Sequence, residues 1–153
     1  MDVFAPLTAD PPAAALFLDV DGVLAPIVER PEDARVPART REELGRLAQS
    51  YGLVAAITGR TSAFAREIVG VGSLTYAGQH GLELDSRAEE WAPHVRAFAV
   101  EVAWDDVELK PLTAAFHFRS APDESRARRA LEPVAAAAIA AGLRARWGRM
   151  VLE

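Results

Sequence analysis

Asp19 and Asp21 stand two residues apart with Gly22 directly behind them, and Thr58, Gly59 and Arg60 close a second apolar run 40 positions on. Two carboxylates at that spacing suit magnesium, a hard cation that takes oxygen ligands and commonly keeps substrate phosphate in its shell. One carboxylate can then attack phosphorus while the other handles a proton. The Thr58 hydroxyl, with the backbone N–H groups of the following turn and helix start, offers donors to phosphate oxygens. Each motif alone also has a plain reading: an acidic pair as a solvated turn, a Thr-Gly as a turn, Arg60 as a surface residue. Position joins them, because ligands of open parallel sheets bind beyond the carboxyl ends of the strands, and both motifs end one.

The elements that must hold these residues follow from periodicity. Ala14 to Val20 is an apolar run too short for a helix, as expected of a strand buried on both faces. Thr40 and Glu43 have capping-box spacing, and Leu44, Leu47, Ala48 and Tyr51 share a helical face that Gly52 ends. Leu53 to Thr58 is a second strand, Ser62 caps a helix to Val69, and Leu74 to Ala77 is a third strand. Residues 1–13, with three prolines after Phe4, read as a loosely docked leader, and residues 14–90 as a partial core.

From Trp91 the pattern changes. Val95, Phe98, Ala99 and Val102 form a helical stripe, and Val107 to Lys110 and Thr113 to Arg119 are strands joined at Pro111. Asp123 caps an Ala-rich helix that runs through Pro133 to Gly142, and Leu143 to Trp147 and Met150 to Glu153 are the last strands. Residues 91–153 thus read as helix, strand, strand, twice over, giving an α/β chain with a three-stranded parallel core followed by an α+β unit.

Composition narrows the function. In 153 residues, 17 basic against 22 acidic side chains leave a net charge of -5, so nucleic acid and anionic membrane surfaces find no basic footprint. No cysteine is present, which excludes disulfides, thiolate catalysis and sulfur-bound zinc and fits a reducing cytoplasm. No apolar run approaches the ~20 residues that span a bilayer. A small soluble ligand is the expected partner. Lys110 is the one lysine in the sequence.

Phe17-Leu18-Asp19-Val20-Asp21-Gly22-Val23-Leu24 resembles the first motif of the haloacid dehalogenase superfamily, and Ile57-Thr58-Gly59-Arg60 its second. Tyr76 to Glu83, Leu109 to Arg119 and Val151-Leu152-Glu153 are similar, in order and spacing, to the trehalose-6-phosphate phosphatase branch. The resemblance implies a Rossmann-like core with a cap, and magnesium-dependent hydrolysis of trehalose 6-phosphate through an aspartyl-phosphate. It makes Asp19 the nucleophile and a magnesium ligand. Asp21 becomes the acid and base, with its backbone carbonyl on the metal. Thr58, with Gly59 and Arg60, binds phosphate, and His80, Glu83, Lys110, Arg119 and Glu153 surround the sugar phosphate.

The resemblance also implies later motifs, a lysine and an acidic cluster, that would follow Glu153, and a strand that would flank Ala14 to Val20. The chain is therefore expected to be incomplete for catalysis and to self-associate through Ala14 to Val20 as an open edge. Other readings are a related sugar phosphatase, or a chain that binds a sugar phosphate without turning it over.

Overall fold

A computed structural model describes residues 4–153 and divides into two compact units, Met1–Asp85 and Ser86–Glu153. The sequence reading put that division at residue 91; Trp91 instead lies inside the first helix of the second unit.

In the first unit, α1 (Ala5–Ala9) and a 3-10 turn (Pro11–Ala13) precede β1 (Ala15–Asp19). The leader is docked more firmly than its prolines suggest: the Pro11 carbonyl accepts the Gly52 N–H at 3.1 Å. A Cβ at Gly52 would strike the Pro12 carbonyl oxygen, so only glycine permits the approach. Residues 1–3 lie outside the described residues.

Helix α2 (Ala38–Ser50) starts three residues earlier than the capping-box spacing implies, with Pro37 at the N-cap and Thr40 inside the helix. The Thr40 cap does not form, because the pre-set φ of Pro37 already starts the helix. Leu44 points into the core with Leu47 and Ala48 beside it. Strand β2 (Leu53–Ile57) leads to α3 (Ser62–Val69), which is capped by Thr61, not Ser62. Thr61 is the last extended residue, and its Oγ1 accepts the Phe64 N–H at 3.3 Å. Gly70, at φ +68°, ends α3 before β3 (Thr75–Ala77).

The sheet runs β1-β2-β3, all parallel, with Asp19 opposite Ile57 and Ile57 opposite Ala77. Strand β1 is therefore an edge. Leu16 and Leu18 pack on the core of Val20, Leu44, Val54, Ala56 and Ile68, whereas Phe17 is 63% exposed. Burial on both faces, as its apolar run suggested, is not met: Leu16 and Leu18 face the core, and Ala15, Phe17 and Asp19 point to the opposite, exposed face.

The second unit contains α4 (Ala88–Glu101), β4 (Val107–Leu109), β5 (Ala114–His117), α5 (Glu124–Ala140), β6 (Trp147–Gly148) and β7 (Val151–Leu152). This is helix, strand, strand, twice. Its antiparallel sheet has the order β4-β5-β7-β6. Phe116, Phe118, Leu131 and Leu152 form the core, and Asp123 caps α5 by accepting the Arg126 N–H at 2.9 Å. The last two strands are shorter than expected, although paired Arg146 and Glu153 backbone bonds carry the ladder one step further. Among the described residues no helix is long and apolar enough to cross a membrane.

Candidate functional site

The first unit gathers Asp19, Asp21 and the Thr58 turn at the carboxyl ends of adjacent strands. Val20, fully buried, separates the two aspartates and turns both side chains away from the core. The Asp19 Oδ1 accepts the Val20 N–H at 2.9 Å, which leaves Oδ2 open among the described residues. Gly22, at φ +86°, folds the chain back so that its N–H reaches the Ala25 carbonyl at 2.8 Å.

Asp21 is held by Arg60 in a two-pronged ion pair, Nε to Oδ2 at 2.9 Å and Nη2 to Oδ1 at 2.8 Å. The remaining Nη1 donates to the Pro31 carbonyl at 2.9 Å, and the guanidinium lies 5.0 Å from the Phe64 ring centre. Arg60 is thus not the surface residue of its plain reading: its side chain is 17% exposed. Thr58 is buried; its Oγ1 accepts the Arg60 N–H at 3.1 Å, its N–H donates to Ala77 and its carbonyl accepts from His80 at 2.8 Å. These bonds join the ends of β2 and β3 to one turn.

Behind β3, Gln79 and His80 both take left-handed backbone angles, φ +48° and +57°, a costly pair for non-glycine residues. His80 is exposed and its ring fits because residue 59 is glycine, where a Cβ would come within 2.8 Å of its Nε2. Gly78 is required by the same logic, since a Cβ there would strike the Ser62 nitrogen and crowd the Glu83 carboxylate at 2.7 Å. Glu83 accepts the Ser62 N–H at 3.1 Å on each oxygen, at the start of α3, and the Gln79 Nε2 at 3.0 Å. Burial alone pushes the Glu83 carboxyl up, but these bonds from Ser62 and Gln79 outweigh it and hold the group below its ordinary value. Gln79, 1% exposed, went unnoticed in the sequence; the only signal for it was its place directly after the strand-ending Gly78.

The second unit holds the other candidates. Lys110 reaches the Glu153 Oε1 at 3.3 Å and the Glu108 Oε2 at 3.9 Å, and the Thr113 hydroxyl donates to the same Glu153 oxygen at 3.0 Å. Lys110 and Glu153 are largely enclosed, 20% and 16% exposed, unlike solvated edge charges. The half-buried His117 meets the Glu108 Oε2 at 3.2 Å. Glu108 is thus the link that the sequence reading missed; alternation with Lys110 along β4 was its available signal. Arg119 is exposed beyond the end of β5 and outside this network. Asp105 and Asp106 line an open cavity of about 400 Å³ with Trp104, His117 and Ser120, within the second unit. Trp104 donates to the His117 carbonyl at 2.7 Å, and Trp147 packs edge-on to Phe118.

For the magnesium that the resemblance implies, the strand ends would offer only a partial shell. No group of three or more His, Cys, Asp or Glu gathers as a cation cage among the described residues. The Asp19 Oδ2 is available while the Asp21 carboxylate is engaged by Arg60. This donor set fits the mode in which one carboxylate and a backbone carbonyl hold magnesium and water and substrate phosphate complete the shell.

The chain is similar to known proteins over most of its length. The trehalose-phosphatase family matches residues 17–107. A trehalose-phosphate phosphatase of Mycobacterium avium is 37% identical over 91% of this chain and 39% of that protein. An uncharacterized glycosyl hydrolase of Mycobacterium tuberculosis is 38% identical over 91% of this chain and 12% of that protein. The chain thus spans well under two thirds of these relatives. The C-terminal domain of the Candida albicans trehalose-6-phosphate phosphatase shares the fold, with a TM-score of 0.67 at 18% identity over 94% of this chain and 57% of that one. The first unit shares its fold with that domain, and the chain belongs to the trehalose-phosphatase family.

Proposed function

We propose that the chain supplies the phosphoryl-transfer aspartates and the sugar-reading unit of a phosphatase that hydrolyses trehalose 6-phosphate to trehalose and phosphate. The observation that carries this is the Asp21–Arg60 pair, which fastens the Asp-x-Asp turn to the Thr-Gly-Arg turn at neighbouring strand ends. The Asp19 Oδ2 attacks phosphorus, forming the Asp19–phosphorus bond while the bond from phosphorus to the sugar oxygen breaks. Asp21, turned away from Arg60 and protonated, gives that oxygen its proton. Water then attacks phosphorus, its proton passes to Asp21, and the Asp19–phosphorus bond breaks to release phosphate.

The Thr58 hydroxyl, its lone pair already facing the Arg60 N–H, directs its proton at a phosphoryl oxygen. The Gly59 and Arg60 backbone lines the same turn. Asp19 and the Asp21 carbonyl would hold a magnesium ion, which would supply neutralisation of phosphate charge. His80, Glu83, Lys110, Arg119 and Glu153 are assigned to the sugar phosphate, with Lys110 and Glu153 supported by their enclosure. Self-association through β1 and residence in a reducing cytoplasm, which a cysteine-free sequence suits, belong to the same reading.

The test is magnesium-dependent phosphate release from trehalose 6-phosphate, with Asp19→Asn as control. Release by the unchanged chain that Asp19→Asn abolishes supports the reading. One observation favours a second: with both Asp21 oxygens on Arg60, the chain can hold a sugar phosphate without turning it over. Calorimetric binding of trehalose 6-phosphate with no phosphate release selects that reading, and neither binding nor release by folded protein refutes both.

A further inference from the structure

After β3, Gln79, His80 and Gly81 take left-handed conformations in succession, φ +48°, +57° and +88°. Such a run is costly for Gln79 and His80 and persists only where the surroundings enforce it. Its effect is to aim two consecutive N–H groups at one turn: Gln79 donates to the Arg60 carbonyl at 2.7 Å and His80 to the Thr58 carbonyl at 2.8 Å. The Gln79 side chain, buried, donates at 3.0 Å to Glu83, whose two oxygens accept the Ser62 N–H at 3.1 Å. One short loop thus grips the turn from Thr58 to Ser62 at two carbonyls and at its last N–H, all within Met1–Asp85.

We propose that Gln79 and Glu83 are positioning residues of the phosphate-binding turn: they set phosphate affinity through Thr58, Gly59 and Arg60 and touch neither phosphate nor sugar. The inference rests on the reading of that turn as the phosphate site.

Two features make the aim of the turn depend on this loop. Thr58 is buried and its Oγ1 accepts the Arg60 N–H at 3.1 Å, so the direction left to its hydroxyl proton follows the Arg60 backbone. The Gly59 N–H meets no protein acceptor among the described residues and remains for a ligand. Both donors take their direction from the backbone between the Thr58 and Arg60 carbonyls, which His80 and Gln79 hold. Groups that bind a ligand must be placed to within about half an ångström, and bonds made behind them secure that precision. Glu83 suits this role better than direct contact, because Ser62 and Gln79 already engage its oxygens and a carboxylate turned on a phosphate would repel it. It then serves a sugar phosphate through the turn.

Inorganic phosphate, added with magnesium chloride to the isotope-labelled chain and followed by NMR through the Gly59 and Arg60 amide signals, reads this without a sugar. Gln79→Met, close in shape and lacking the amide, is expected to weaken phosphate binding about 3- to 10-fold. Glu83 is half-buried, so Glu83→Ala carries the test independently of the buried position and weakens binding at least as much. Glu83→Gln, which keeps an acceptor for Ser62, restores most of the affinity. Asp123→Ala, which loosens α5 in the second unit, leaves the affinity unchanged and so separates positioning from a general loss of stability. Unaltered affinity in Gln79→Met and Glu83→Ala overturns the inference alone, as does an equal loss in Asp123→Ala. A Glu83→Ala chain that loses trehalose 6-phosphate but binds inorganic phosphate normally also overturns it, since Glu83 then reads the sugar. No phosphate response in the unchanged chain overturns the phosphate-site reading, and the inference falls with it.

Discussion

Glu83→Gln tests whether the first unit depends on a carboxylate at the start of α3. Two donors meet that carboxylate: the Ser62 N–H, shared between both oxygens at 3.1 Å, and the Gln79 side-chain amide at 3.0 Å. Hydrogen bonds to a charged group contribute ~1.5–3 kcal/mol and neutral ones ~0.5–1.5, and a negative charge at a helix N-terminus adds ~0.3–1. These figures overlap because one helix start supplies both. Gln keeps an acceptor oxygen for Ser62 but loses the charge, so it is expected to cost about 1 kcal/mol, and Glu83→Ala about 2–3 kcal/mol.

The pH dependence carries the sharper prediction. A carboxyl held below its ordinary value in the folded protein contributes stability that is fully present above the unfolded value. That stability disappears as pH falls through the folded one. The Gln deficit should therefore be complete at pH 7 and shrink from the ordinary value of 4.5 downward. Urea unfolding followed by far-UV circular dichroism at several pH values measures it. Tryptophan fluorescence alone is unsuitable, since Trp91, Trp104 and Trp147 all belong to Ser86–Glu153. A deficit of the same size at pH 3 as at pH 7, or none at pH 7, refutes the reasoning.

Three further substitutions address separate parts of the chain. Asp123→Ala removes the cap of α5 and should cost ~1 kcal/mol, read by tryptophan fluorescence because Arg128 of that helix lies 4.1 Å from the Trp147 ring centre. Leu131→Ala empties a fully buried position in the second core and should cost ~2–5 kcal/mol in the same unfolding assay. Arg60→Lys keeps the charge but not the fork that grips Asp21 and Pro31; a loss of about 1 kcal/mol at pH 7, by thermal unfolding, is expected of this partly exposed pair.

The order of elements was legible because both halves carry strong periodic signals: short apolar runs ending in Asp19 and Thr58, and helical stripes through Leu44 and Leu131. The caps were harder. Thr40 and Ser62 have the right chemistry, yet Pro37 and Thr61 sit where the backbone leaves extended geometry, and spacing alone does not locate that residue. The Asp-x-Asp and Thr-Gly-Arg turns announced themselves by type and position. Their link through Arg60, 39 positions from Asp21, did not, because a long-range ion pair has no periodic trace in the sequence. Glu83 illustrates the same limit: the resemblance assigns it to the sugar phosphate, while the fold engages both its oxygens at α3.

The placement of Asp19 and Asp21 comes down to the residue between them. Val20 is fully buried and its carbonyl accepts both the Leu24 and Ala25 N–H groups, at 3.1 and 2.8 Å, so the chain is pinned where it leaves the sheet. Alternation then directs Asp19 and Asp21 away from the core together, and Gly22 lets the loop fold back without pulling either inward. The direction in which the two carboxylates leave the chain is set by that core side chain, and the Arg60 fork then fixes Asp21. On the sheet side, however, Asp19 is fixed only by its pairing with Ile57, and the other flank of β1 is open.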